Sequence, residues 1–127
     1  MKWVLPADST GDYYFVFHPA YLLRCVAYFF AGAFLVNAIP HFVSGVTGHR
    51  FPSPFASPPG KGLSSPIVNV LWGIFNFAIA YLLIFRVGTF DFRSTRDMLL
   101  LAAGGLLMGI NLAGWFGRTD HDESRSQ

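Results

Sequence analysis

Three long stretches of the chain, residues 25–43, 67–85 and 98–116, are 19 residues each and carry no Asp, Glu, Lys or Arg. A helix of about 20 residues is long enough to cross the hydrocarbon core of a bilayer, which is ~30 Å thick. A helix on the surface of a soluble domain would carry a polar face of comparable width, and none of these stretches does. The sequence therefore predicts an all-α membrane protein, a bundle of three transmembrane helices.

Composition supports the same class and excludes others. Charged residues make up 13% of the 127 residues, against about 25% in soluble domains. The net charge is only +2, and the basic residues are scattered along the chain. No run of them could bind along a phosphate backbone, so no nucleic-acid partner is predicted. The single cysteine, Cys25, can form neither an intrachain disulfide nor a cysteine-based metal site. The lipid bilayer is the first expected partner.

Signals at the ends of the apolar stretches divide the chain. Arg24, Arg86, Trp115 and Arg118 are typical interface anchors, and Ser65 before a proline predicts the start of the second span. The predicted order is an interfacial segment 1–24, span one 25–47, a loop 48–65, span two 66–86, a basic loop 87–96, span three 97–117 and a polar tail 118–127. Residues 13–24 leave an alternative open, in which the first helix begins near Pro19.

The orientation follows from the basic residues on each side. With three spans, the N-terminal segment and the second loop share a side and hold five of them: Lys2, Arg24, Arg86, Arg93 and Arg96. The first loop and the tail hold four: Arg50, Lys61, Arg118 and Arg125. The positive-inside rule then predicts a cytoplasmic N-terminus and an external C-terminus.

Every span contains asparagine: Asn37, Asn69, Asn76 and Asn111. An amide left unpaired in hydrocarbon costs several kcal/mol, so these side chains are expected to face protein and not lipid. Small residues share faces with them at helical spacing, as Gly73 does with Asn69 and Asn76, and as Gly104 does with Asn111. Such spacing is typical of closely packed helices. One interpretation is a face that holds a bundle or an oligomer together. The other is a polar cavity that binds a ligand.

The Pro40–His41 step lies near the end of the first span. Pro40 frees the carbonyl of Val36, and the favoured interpretation is a kink in which Asn37 or His41 satisfies that carbonyl. The alternative is that His41 faces a pocket, because an ionisable residue inside a span is a functional-site hypothesis. No His-x-x-His or Glu-x-x-His pair and no second catalytic group accompany it, so no metal, cofactor or catalytic residue is predicted.

The first loop holds five prolines and two glycines between Phe51 and Pro66, which forbid a regular helix. Phe51 and Phe55 would prefer burial, so the loop is expected to fold back as an ordered cap on the helix ends. We expect His41 to pack beneath this cap, with loop hydroxyls and carbonyls as partners of its imidazole.

The segments "NAIPHFVSG", "FPSPFASPPGKGLSSP" and "NVLWG" resemble a pattern in a family of small bacterial inner-membrane proteins of unassigned function. The resemblance covers about 40 residues and implies a bacterial inner-membrane location, without an activity, substrate or cofactor. It suggests that the loop and His41 form a unit that the proteins of this family have in common.

A chain this small rarely encloses a transport path alone. The sequence therefore predicts a structural or accessory subunit that associates with other membrane proteins or with itself, and it favours no enzymatic activity. The alternative is a small-molecule or lipid-binding protein, or a transporter, whose site is lined by His41 and the span asparagines.

Overall fold

A computed structural model describes residues 18–125 and contains three helices and one short hairpin. The helices are α1 (Pro19–Val46), α2 (Pro66–Phe85) and α3 (Thr95–Arg125). Two short strands, β1 (Phe51–Pro52) and β2 (Leu63–Ser64), pair antiparallel inside the first loop. All three helices are long and apolar enough to cross a membrane, which confirms the predicted three-span all-α membrane fold.

The largest differences from the predicted bounds are at two helix ends. α1 begins at Pro19, as in the alternative left open by the sequence, so residues 19–24 are helical and do not form a separate surface segment. The rest of that segment, residues 1–17, lies outside the described residues. His18 caps the helix, since its Nδ1 accepts a hydrogen bond from the Ala20 amide at 3.3 Å. α3 continues to Arg125 through most of the predicted polar tail, where no proline interrupts it.

α1 is the central helix. Both α2 and α3 pack along it, whereas α2 and α3 have almost no contact with each other within residues 18–125. The first loop and the end of α3 lie together at what we call the loop end of the molecule. The loop of residues 86–94 and the start of α1 lie at the opposite end.

Small residues bring the helices together. A Cβ added to Gly104 would collide with the Phe29 carbonyl, and one added to Gly32 would collide with the Leu101 carbonyl. A Cβ added to Gly73 of α2 would lie 2.9 Å from the backbone nitrogen of Phe42, which is a less severe overlap. The buried apolar residues are mostly alanines, while many large apolar side chains point outward, as expected where lipid replaces water.

Pro40 does not end the first span. α1 continues without interruption for six residues after Pro40 and ends at Val46. The chain therefore turns after Val46 and not at Pro40.

Candidate functional site: a hydrogen-bonded layer under the first loop

Asn69 is the centre of the polar structure at the loop end. It is fully buried, and its Nδ2 donates to the carbonyls of Phe51, Ser64 and Ser65 at 3.0, 3.3 and 3.1 Å. Its Oδ1 lies 2.9 Å from Nδ1 of His41. Since three carbonyls fix Nδ2 as the donor, Oδ1 must accept, and Nδ1 of His41 therefore carries a proton.

His41 itself lies beneath the loop, with 4% of its surface exposed. The Phe51 ring covers it edge-on at 5.4 Å between centroids, and Phe51 in turn contacts Phe116 of α3 at 4.7 Å. The expected packing of His41 under the loop is confirmed. The expected partners are not, because the imidazole bonds to Asn69, while the hydroxyls of Ser53 and Ser64 bond to each other.

A second amide pair lies two turns deeper. Asn37 of α1 donates to Oδ1 of Asn76 at 2.9 Å, and Nδ2 of Asn76 donates to the Trp72 carbonyl at 2.7 Å. Asn76 is fully buried. The interpretation that Asn37 or His41 serves the carbonyl of Val36 is therefore wrong, because both side chains reach across to α2 instead.

Asn111 does not join this layer. It is exposed on α3, and its Nδ2 donates to the Leu107 carbonyl of its own helix at 2.8 Å. The prediction that all four asparagines face protein holds for Asn37, Asn69 and Asn76 and is wrong for Asn111. The reason is helix crossing: α3 contacts α1 closely at Gly104, whereas a Cβ at Gly114 would meet nothing within 4 Å.

At the loop end, the first loop contacts both α3 and α2. On one side, Nε1 of Trp115 donates to the Gly60 carbonyl at 3.0 Å, which ties the loop to α3. On the other side, Phe55 lies edge-on to Trp72 of α2 at 5.2 Å and remains 67% exposed. Phe51 thus caps the bundle, as predicted, while Phe55 covers only its flank.

An open recess of about 310 Å³ lies between the loop and α2. Its lining is apolar and consists of Phe55, Val68, Leu71, Trp72 and Phe75. Nε1 of Trp72 is buried and has no hydrogen-bond partner in the described part of the chain. A buried N–H without an acceptor costs about 1–3 kcal/mol.

A polar cluster at the opposite end was not predicted. Asp97 is 1% exposed, pairs with Arg96 at 2.8 Å and accepts a hydrogen bond from the Asp91 amide at 3.2 Å. The Asp97 amide donates to Oγ of Ser94 at 3.3 Å. The spacing Ser94-x-x-Asp97 is that of a helix N-terminal capping box, which is the signal that could have revealed the cluster.

Arg96 also lies over the Tyr21 ring, 5.1 Å from its centroid, and so links the start of α3 to the start of α1. This end of the molecule is therefore closed by ionic and aromatic contacts, and the loop end by neutral hydrogen bonds. No three His, Cys, Asp or Glu side chains of residues 18–118 come together as a possible metal site.

No family model, curated protein or solved structure matches this chain. The resemblance to small bacterial inner-membrane proteins, seen in the sequence, accordingly stays a prediction.

Proposed function

We propose that this small multi-pass membrane protein is a structural subunit that forms a homo-oligomer through the outer face of α3. The observation that carries the proposal is the exposed Asn111. It lies about 8 Å along the helix inside the end of the apolar stretch at Phe116. At that depth an exposed amide faces lipid, and its Oδ1 accepts no hydrogen bond from a described residue.

α3 is also the helix with the least protein around it. Only 11% of its most apolar 18 residues are buried, against 33% in α1 and 28% in α2. Gly114, one turn beyond Asn111, is open to the outside and would let another backbone approach closely. A further helix on this face would complete the packing that α1 and α2 do not supply.

A second copy of the chain is the occupant we favour. All copies insert with the same orientation, so Asn111 lies at the same depth in each of them. A two-fold axis along the membrane normal would bring two such amides together, and an amide is its own complement because it both donates and accepts. The bacterial inner membrane, with the N-terminus in the cytoplasm, is the location that we propose with this function.

Cysteine crosslinking in native membranes tests the proposal. In a Cys25→Ser background, Asn111→Cys should form a disulfide-linked dimer under mild oxidation. Leu106→Cys is the matched control, since this residue of the same helix is 67% exposed and points nearly opposite to Asn111. Equal crosslinking at both positions would mean random collision. A crosslink to a larger protein would instead make the chain an accessory subunit of a hetero-complex, and no crosslink would refute the interface.

The amide should contribute only part of the association. Asn111→Leu is expected to weaken the dimer about threefold, because interhelical polar contacts average about 0.6 kcal/mol. Sedimentation equilibrium in detergent measures that change.

The alternative of a small-molecule site around His41, Asn37, Asn69 and Asn76 stays a prediction. What supports the structural role over it is that Asn69 and Asn76 have no exposed surface and bond to protein groups.

A further inference from the structure

We propose that the first loop is an acid-sensitive cap, which closes over neutral His41 and opens when the imidazole takes up a second proton. The proposal concerns the loop end alone and does not depend on the homo-oligomer. It rests on the hydrogen bonding of the ring, on the side chains around it and on the position of the first strand over it.

One nitrogen of the His41 ring is paired and the other is not. Nδ1 donates to Oδ1 of Asn69 at 2.9 Å, so in the neutral ring Nε2 carries no proton. Nε2 has no hydrogen-bond partner among residues 18–118. Since only 4% of the His41 surface is exposed, a proton on Nε2 would place a charge and an unpaired donor in a nearly dry position.

The side chains around the ring offer no negative charge within residues 18–118. The ring contacts Asn69 and the aromatic rings of Phe51 and Trp72, whose centroids lie 5.4 and 6.4 Å away. Neither α1 nor α2 has another ionisable residue within three turns of this level. The ionisable residues of the loop and of the adjacent part of α3 are exposed and none is acidic: His49, Arg50, Lys61 and Arg118. The next ones along α3 have side chains outside the described part of the chain: Asp120, His121, Asp122 and Glu123.

The ring can reach water only if the loop moves. Phe51 covers His41 and belongs to β1, which pairs with β2 in the register Phe51–Ser64. Asn69 donates to the carbonyls of both of these strand residues. Displacing Phe51 to hydrate a charged imidazole would therefore disturb the hairpin, so protonation of His41 and closure of the loop oppose each other.

The direction and size of the effect follow from this opposition. An imidazole in water has an ordinary pKa of about 6.5. The open loop binds a proton below that pH and the closed loop does not, so the loop is most stably closed above pH ~6.5 and loses stability as the pH falls. If only the open form is protonated, the equilibrium constant for opening should rise about thirtyfold between about pH 7.5 and about pH 5.

Hydrogen exchange of the purified full chain in lipid nanodiscs, followed by mass spectrometry, measures the opening. Two loop amides report it, since the Gly60 amide donates to the Ser53 carbonyl at 2.9 Å and the Gly62 amide to the Pro58 carbonyl at 2.8 Å. After correction for intrinsic exchange, their protection in wild type should fall by about tenfold to thirtyfold between about pH 7.5 and about pH 5. Protection that does not change with pH would overturn the proposal.

Two histidine variants assign the effect. In His41→Asn, the side-chain amide nitrogen takes the place of Nδ1 and can donate to Asn69, but it does not titrate, so loop protection should be independent of pH. His49→Gln is the matched control, because His49 is exposed and bonds only to the Thr47 hydroxyl, at 3.0 Å. It should keep the wild-type dependence. Wild-type dependence in His41→Asn, or its loss in His49→Gln, would assign the titration to another group.

A triple variant tests the acidic residues of α3. Asp120→Asn with Asp122→Asn and Glu123→Gln removes the carboxylates that follow Arg118 and should leave the pH dependence unchanged. A changed dependence would show that one of these acids pairs with His41, which would overturn the uncompensated charge on which the proposal rests.

The wild type alone decides the matter if His41→Asn does not fold, which exchange protection inside α1 reveals. Nitrogen NMR of the chain labelled in histidine should show His41 gaining its second proton at the same pH at which the loop loses protection. Different midpoints for the two events would overturn the coupling of His41 to the loop.

Discussion

At the scale of single residues, one amide organises the loop end. Asn69 donates to the carbonyls of Phe51 in β1 and Ser64 in β2, and its oxygen accepts from the imidazole of His41. It therefore joins α1, α2 and the loop. A loop rich in proline offers few backbone N–H groups, so its carbonyls need donors from elsewhere. Asn69 is that donor, and His41 holds it in place from the other side.

Removing either side chain should loosen the loop, but not equally. Asn69→Ala removes one side-chain donor from each of three carbonyls and the acceptor of the imidazole, whereas His41→Ala removes only the donor to one amide oxygen. Each lost partner costs on the order of 1–3 kcal/mol, so Asn69→Ala should have the larger effect. Trypsin cleavage after the exposed Lys61, in membranes, measures the loosening.

Asn111→Ala is the control for this comparison, because within the chain that amide bonds only to its own helix and touches no part of the loop. Its loop should be cleaved at the wild-type rate. Wild-type cleavage in both His41→Ala and Asn69→Ala would show that the loop is held by its aromatic contacts alone.

At the scale of elements, glycine decides how α3 crosses α1. Gly104 and Gly117 are both glycines of α3, yet a Cβ at Gly104 would collide with the Phe29 carbonyl, while one at Gly117 would meet nothing within 4 Å. Gly104→Ala should therefore force the two helices apart and destabilise the bundle by about 1–3 kcal/mol. Gly117→Ala should be neutral or stabilise by up to about 1 kcal/mol, because alanine is the better helix former. Unfolding in detergent titrated with SDS distinguishes them, and equal destabilisation would place the crossing elsewhere.

The sequence predicts the elements better than their arrangement. The charge-free stretches locate three spans, and the spacing of Asn69, Gly73 and Asn76 correctly indicates one buried face. The same reasoning groups Gly104 with Asn111, yet only Gly104 is buried against α1. Helical spacing tells which residues share a face, but it contains no information on the crossing angle, and that angle decides how far along the face contact extends.

The residues near His41 in the sequence could not reveal its hydrogen-bond partner either. Asn69 lies 28 residues away along the chain, and only the packing of α2 on α1 brings the two side chains together. Sequence neighbours alone favour a kink at Pro40 in which Asn37 or His41 bonds to the freed carbonyl, because both lie within three residues of Pro40.

At the scale of the whole molecule, α1 is the axis and the two ends differ in chemistry. The loop end is closed by neutral hydrogen bonds and aromatic rings. The opposite end is closed by the Arg96–Asp97 pair and the contact of Arg96 with Tyr21. The orientation that we propose places this second end, which has the larger number of basic residues, in the cytoplasm.

This assignment predicts which loop a membrane-impermeant thiol reagent reaches in intact cells. In a Cys25→Ser background, Ser57→Cys in the first loop should be labelled from outside. Phe92→Cys in the second loop, an exposed residue, should be labelled only after the cells are permeabilised. Three spans place these two loops on opposite sides whichever way the protein inserts. The reverse pattern would invert the orientation and leave the fold intact, whereas labelling of both residues in intact cells would contradict α2 as a membrane span.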